Sequence, residues 1–214
     1  MTRRYDRLKR GIDIVGATVL ILASAPVTAA TALVVRTTMG RPMLFRQSRP
    51  GLHGTPFELV KFRTMRDPAP GEDPGPDGDA ARLTRLGRFL RVTSLDELPS
   101  LINVLRGQMS LVGPRPLLMS YLDRYSPHEA RRHEVRPGIT GLAQVRGRNA
   151  VDWSHRLAYD VEYVDRRSLA LDLRILAATV PALLRRGTTS APGHATMPAL
   201  PYAATRTDQP EVMR

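Results

Sequence analysis

"ILASAPVTAATALVV", residues 21–35, is the second half of an apolar run that begins at Ile12. The run holds 24 residues from Ile12 to Val35, broken by one acid, Asp13, and a few small polar side chains. About 20 apolar residues span a bilayer, so length alone permits a crossing. "ASA" at 23–25 imitates a signal-peptide cleavage site, but the apolar stretch continues well past it to Val35, which argues against cleavage.

The flanks of the run are more telling than its length. Arg3, Arg4, Arg7, Lys9 and Arg10 precede it; Arg36, Arg41, Arg46 and Arg49 follow it. A single crossing keeps its basic excess on the cytoplasmic side, whereas here both ends favour that side. Pro26 lacks an N–H and clashes with the preceding turn, so it kinks or breaks a helix near the midpoint, where neighbouring Ser24 is placed to satisfy a freed carbonyl. Residues 1–40 are therefore expected to form a basic N-terminus and a re-entrant helix-break-helix, with the membrane break at Ser24 and Pro26. A Pro-kinked transmembrane helix is the alternative. A soluble core helix is disfavoured, because nine cationic residues frame the apolar rod.

The chain has 214 residues, enough to bury a core without staples, and a net charge of +12. Such a surface seeks anions: nucleic acid, anionic lipid headgroups or phosphorylated substrates. Aromatic residues are only 5% of the chain, so stacking platforms for single strands are scarce. The absence of cysteine removes thiolate nucleophiles, disulfides and cysteine-ligated zinc.

Beyond Gly40 the pattern shortens. Segments 42–47 and 57–65 read as extended, joined by the Gly/Pro-rich turn "SRPGLHGTP". Residues 67–79, rich in Pro, Gly and acid, read as a mobile loop. Helical patterns follow near 80–91, 96–106 and 117–134, then a basic, glycine-rich stretch at 136–148. A helix over 152–166 has Asp152 as its N-cap. The stripe from Leu169 to Leu184 suits either core packing or an amphipathic helix on a membrane surface.

"RVTSLDELPSLINVLRGQMSLVGPRP" (91–116) is the dense part. Asp96 and Glu97 are adjacent carboxylates bracketed by Arg91, Arg106 and Arg115. Ser94-x-x-Glu97 matches a capping box, but Pro99 would then fall where a helical N–H is needed. A helix starting near Asp96 is more comfortable, and it places that carboxylate at a helix N-terminus. The neighbouring arginines favour an ionised Asp96, as a nucleophile or metal ligand must be. Arg115, between two prolines, is positioned for a bidentate grip on phosphate oxygens.

"KFRTM", "SLDELPSLINVLRGQMSLVGPRPLL", "RPGITGLAQVRGRN" and "LDLRIL" resemble the signature blocks of the bacterial sugar transferase family, the monotopic phosphoglycosyl transferases. The blocks fall in family order over roughly residues 8–186, and the chain is similar to short members without extra amino-terminal membrane helices. "GHAT" (193–196) resembles a segment after the last helix of such members. The resemblance implies an α+β fold: a mostly helical catalytic domain over 41–186 with short strands, anchored by the re-entrant helix and amphipathic surface helices, and an irregular tail at 187–214.

The implied activity is transfer of a sugar phosphate from a UDP-sugar to polyprenyl phosphate, with release of UMP, starting surface-glycan assembly at the cytoplasmic face of the bacterial inner membrane. Asp96 is the implied nucleophile and Glu97 its partner acid, both near Mg²⁺. Lys61, Arg91 and Arg115 are implied in phosphate binding, with Arg136 and Arg148 of the glycine-rich block as further candidates. No nucleic-acid partner is expected; membrane lipids are, and a homo-oligomer is compatible with the sequence. A non-catalytic basic membrane-surface or nucleic-acid-binding relative is the rival, and direct attack of the lipid on the donor the rival mechanism. The chain departs from the family pattern at Ala25, Gln108, Leu142 and Arg146.

Overall fold

The computed structural model describes residues 2–69, 71–72, 78–146, 152–184 and 199–202. Arg148, the centre of the 67–79 loop and the segment 193–196 lie outside the described residues. The chain opens with one long helix, α1 (Thr2–Met39), then an antiparallel hairpin of β1 (Leu44–Pro50) and β2 (Pro56–Phe62). Helices α2 (Asp79–Arg82) and α3 (Arg85–Thr93) lead to a 3-10 segment, Leu95–Ser100, that runs directly into α4 (Leu101–Leu105). A second, parallel pair joins β3 (Ser110–Val112) to β4 (Gly138–Thr140), with α5 (Pro127–Ala130) and 3-10 turns between them. Helices α6 (Leu142–Arg146), α7 (Trp153–Arg166) and α8 (Leu169–Leu184) follow. The chain is thus mostly helical with short strands, as expected of an α+β fold.

Local chemistry explains these elements. In β2, Phe57 and Leu59 turn one face onto the main core with Glu58 exposed between them, and Val60 and Phe62 of the other face are buried as well. Asp152 caps α7 by accepting from the His155 amide at 2.8 Å. The main core gathers Leu59, Leu101, Val104, Met109, Leu111 and Tyr163, and takes in Ala17 from α1.

Two close glycine contacts set how α3 and the turn after β3 are packed. At Gly87 in α3, an added Cβ would overlap the Thr64 carbonyl oxygen, so only glycine lets α3 lie against the chain leaving β2. Gly113 and Gly138 likewise meet backbone to backbone: Gly113 N–H donates to Thr140 O, and Gly138 N–H to Pro114 O, both at 2.9 Å. The Gly-Pro-Arg-Pro turn is therefore stitched to the start of the glycine-rich block.

α1 leans on this domain along one side. Asp13, Ala17, Thr31 and Val35 are buried, and Ile21, Ser24 and Thr28 between them are half-buried, at helical spacing. Near one end, the Arg10 guanidinium donates to the carbonyls of Val104 and Leu105 at 2.6 and 2.7 Å, capping the end of α4. Asp13 accepts from the Ser110 hydroxyl and the Leu111 amide, both at 3.0 Å. Near the other end, Val35 packs with Phe62 and Leu90, and Arg63 donates to Met39 O at 2.9 Å. The opposite side is bare: Val15, Leu22 and Leu33 are 64%, 70% and 64% exposed, far more apolar surface than a water-facing helix carries.

The helical backbone is continuous through Pro26, whereas the sequence predicted a break. Proline removes the ladder bond to the Leu22 carbonyl; Ser24 Oγ donates to the neighbouring Ile21 O at 3.5 Å rather than to that freed group, and one turn is weakened without ending the helix. Of the described helices, α1 alone is long and apolar enough to cross a membrane.

Asp13 separates docking from simple greasiness. Asp13→Leu raises the hydropathy of α1 but strands the Ser110 hydroxyl and the Leu111 amide in the core. We expect it to lower thermal stability in detergent, by about 1–3 kcal/mol for each stranded group. A variant as stable as the parent would show that the Asp13 hydrogen bonds do not help to hold α1.

Candidate functional site

Ser94 stands at the hinge between α3 and the 3-10 segment, in the left-handed region at φ 58°, and makes no side-chain cap. The capping box therefore does not form, and Asp96 and Glu97 sit in the first turn of a segment that begins at Leu95. This turn points two adjacent carboxylates at different neighbours.

Glu97 Oε1 accepts from Lys61 Nζ, on β2, and from an Arg115 Nη, on the Gly-Pro-Arg-Pro turn, both at 2.6 Å. Asp96 is 7% exposed and accepts no hydrogen bond among the described residues. Arg91, on the last turn of α3, donates to Thr64 Oγ1 at 3.1 Å and lies within the electrostatic reach of Asp96. Burial pushes Asp96 up to about 6, the Glu97 charge adds to this, and Lys61, Arg115 and Arg91 oppose it. Burial acts on Glu97 in the same sense, but Arg115 and Lys61 overcome it and hold its carboxyl well below the usual range. Two neighbouring acids thus have separate characters: Glu97 is a fixed anion in a cationic fork, and Asp96 an unengaged one.

Arg115 is held from behind as well. The buried Arg132 guanidinium donates to Arg115 O at 2.7 Å and to Asp160 Oδ2 of α7 at 2.7 and 3.0 Å. A buried pair of this kind stabilises little by itself, but it fixes geometry.

The dyad opens into a cavity of about 980 Å³. Leu20 and Ser24 of α1 and Leu176 and Thr179 of α8 line part of it. Arg49, Arg115, Arg156, Tyr121 and Trp153 line another part. Of the residues singled out in the sequence, Asp96, Glu97, Lys61, Arg91 and Arg115 all border this cavity. Arg136 does not; its Nε donates to Gly107 O at 2.8 Å, on the turn that Arg10 also covers. Arg49, Arg156 and the Arg132–Asp160 pair were missed by the sequence reasoning. Arg156 sits in an amphipathic helix where a charge reads as surface, although it is buried.

Among the described residues there is no cluster of three metal-ligating side chains. Mg²⁺ is commonly held by one or two carboxylates with the substrate's phosphates completing its shell. The unengaged carboxylate of Asp96 and the second oxygen of Glu97 suit that arrangement.

The departures from the family pattern have local explanations. Gln108 Oε1 accepts from Asn103 Nδ2 at 2.7 Å, and Asn103 in turn bonds the backbone of Glu58 and Val60, so a neutral amide serves the acceptor role there. Leu142 is buried in the main core, and Arg146 pairs with Glu162 while stacking over Tyr159 at 4.8 Å. Nothing in the structure explains Ala25.

A family model described as bacterial sugar transferase matches residues 4–186. The chain is 51% identical over 177 residues to an uncharacterized sugar transferase, EpsL, of Bacillus subtilis, covering 83% of this chain and 87% of that one. It is 47% identical over 189 residues to a UDP-glucose:undecaprenyl-phosphate glucose-1-phosphate transferase of Caulobacter vibrioides, with 84% and 70% covered. An Escherichia coli protein of the same description is 41% identical over 189 residues, 81% of this chain but only 39% of that longer one.

The raised Asp96 carboxyl has a consequence for stability. Its folded value, about 6, lies above the ordinary 3.8, so the folded state binds its proton more tightly than the unfolded state does. The cost of the charge is absent below about pH 4, grows between 4 and 6, and is full above 6. Asp96→Asn, measured in metal-free buffer, should raise Tm at pH 7.5, at about 2–4 °C per kcal/mol for a chain of this length. The gain should shrink as pH falls to 4. An Asn variant less stable than the parent at pH 7.5 would contradict this electrostatic account.

Proposed function

The chain belongs to the bacterial sugar transferase family, and we propose that it moves a sugar 1-phosphate from a UDP-sugar to undecaprenyl phosphate through a covalent aspartyl-phosphosugar. It is a phosphoglycosyl transferase. The observation that carries the covalent route is the inequality of the dyad: Glu97 is spent on Lys61 and Arg115, while Asp96 is buried beside the same cations with its oxygens unengaged.

The carboxylate of Asp96 attacks the phosphorus that bears the sugar. The bond from that phosphorus to the bridging oxygen breaks, and UMP leaves with the electron pair. Undecaprenyl phosphate then attacks the same phosphorus, and Asp96 departs as the free carboxylate. Lys61, Arg91 and Arg115 meet the charge on the phosphoryl oxygens, where fixed cations in a partly dry site act strongly. Mg²⁺ held by Asp96 and Glu97 with the donor's diphosphate would supply further charge neutralisation. A two-step route lets one cavity take a water-soluble donor and a lipid acceptor in turn.

The same reading gives α1 its topology. Both ends of α1 pack on one catalytic domain, through Arg10 and Asp13 on one side and Val35 and Met39 on the other. A helix that crossed about 30 Å of hydrocarbon would carry one end away from that domain. We therefore take α1 as re-entrant from the cytoplasmic face of the inner membrane, bending at the turn weakened by Pro26. The walls from Leu20, Ser24 and Leu176 give the lipid phosphate a path to the dyad. The product would start an exopolysaccharide, capsule, O-antigen or glycoprotein glycan.

UMP release, screened over a panel of UDP-sugars with undecaprenyl phosphate, tests the activity. Asp96→Asn and Glu97→Gln should abolish it, and Arg115→Lys, which keeps charge but loses the fork, should lose at least about tenfold. No release from any donor would contradict the function, and full activity of the lysine variant would remove Arg115 from the site. For topology, single cysteines near Thr2 and near Gly51 should both label from the cytoplasmic side; labelling from opposite sides would make α1 a crossing helix.

A further inference from the structure

One wall of the cavity carries more cationic equipment than the dyad uses. Arg49, near the end of β1, donates to Gln47 Oε1 and, at 3.5 Å, to Pro116 O, while its Nε is buried with no partner among the described residues. Arg156, on the first turns of α7, is 5% exposed, and its guanidinium lies 5.4 Å from the centre of the Trp153 ring. Arg115 stands in the electrostatic field of both. Burial, with the like charge of Arg115 next, pulls both Arg49 and Arg156 down to about 10. Guanidinia crowded in a cavity are relieved by an anion, and planar forks suit phosphate oxygens.

Two aromatic rings share this wall. Tyr121 and Trp153 meet edge to face, 5.8 Å apart at 87°, and both border the cavity. Rings beside arginines suit a phosphorylated group that ends in a flat base. A phosphate on a lipid needs instead a path along apolar walls, which α1 and α8 supply elsewhere in the cavity.

We propose that Arg49 and Arg156, with Trp153 and Tyr121, form the subsite for the nucleoside monophosphate half of the donor. This rests on the transferase activity proposed above and divides the cavity. Lys61 and Arg91 serve the phosphoryl group under attack, Arg115 links the two parts through Glu97, and Arg49 and Arg156 receive the departing phosphate. As the phosphorus–oxygen bond breaks, UMP gains charge on the oxygen that carried the sugar phosphate, and these two arginines stabilise it there. They are substrate-binding residues for the leaving group, outside the dyad.

The test uses the full chain in detergent or nanodiscs, with UMP as the probe, measuring its Kd directly and its Ki as product inhibitor. Arg49→Gln and Arg156→Met should each weaken UMP about tenfold or more, with the KM for undecaprenyl phosphate unchanged. Arg156→Lys should recover part of the UMP affinity. Should Arg156→Met fail to fold, Arg49→Gln, on the strand edge, decides alone. Variants that bind UMP like the parent overturn the subsite. A raised KM for the lipid phosphate with unchanged UMP affinity also overturns it, assigning the arginines to the acceptor. Either result, with a parent that releases UMP normally, leaves the transferase function standing. A parent that releases UMP from no UDP-sugar is the separate failure of that function.

Discussion

A single carboxylate oxygen, Oε1 of Glu97, holds the site together by accepting from Lys61 on β2 and Arg115 on the Gly-Pro-Arg-Pro turn. Three stretches distant in sequence meet there: the hairpin, the 3-10 turn and the loop that leaves β3. Since Glu97 satisfies those cations, its neighbour Asp96 lies in their field without being bonded by them. Removing Glu97 would both loosen the three elements and hand Lys61 and Arg115 to Asp96. The reactivity assigned to one acid is therefore a consequence of the engagement of the other.

The scaffold protects that geometry from several sides. Gly87 brings α3 against Thr64, which lets Arg91 reach Thr64 and stand beside Asp96. Gly113 and Gly138 lock the turn that carries Arg115, and Arg132 fixes the Arg115 carbonyl from a buried pair with Asp160. The long apolar helix α1 joins the same frame. Asp13 bonds β3, and Tyr5 and Lys9 reach Asp172 of α8, each at 2.9 Å. One helix thus carries an apolar outer side and a docked inner side, and two of its residues, Leu20 and Ser24, line the cationic cavity.

How legible this was in the sequence follows from the range of each interaction. The Asp152 cap, the β1–β2 hairpin and the amphipathic α7 depend on neighbours a few residues away, and local pattern captured them. Asp96 and Glu97 stood out because acids and arginines crowd into one segment, and the resemblance to the family gave the two acids their proposed roles. The choice between a Ser94 capping box and a later helix start was also settled by a local constraint, the proline at 99. Arg49 and Arg156 were not legible, because one looks like part of a turn and the other like a solvated helix face until the fold turns both inward. Arg136 drew attention for the opposite reason: it is basic and opens the glycine-rich block, yet it bonds the Gly107 carbonyl outside the cavity. The interruption expected at Pro26 overstated what one lost ladder bond does, since a helix docked along its length keeps its backbone through such a site.

The central claim is that the donor phosphate passes through Asp96. Protein incubated without lipid, with a UDP-sugar labelled in the sugar-bearing phosphate, tests it most directly. The account predicts label retained on the protein, in a peptide that contains Asp96, with an equal amount of UMP released and the label discharged on adding undecaprenyl phosphate. A protein that turns over both substrates normally but never retains label would contradict it and assign Asp96 to metal binding in a direct transfer.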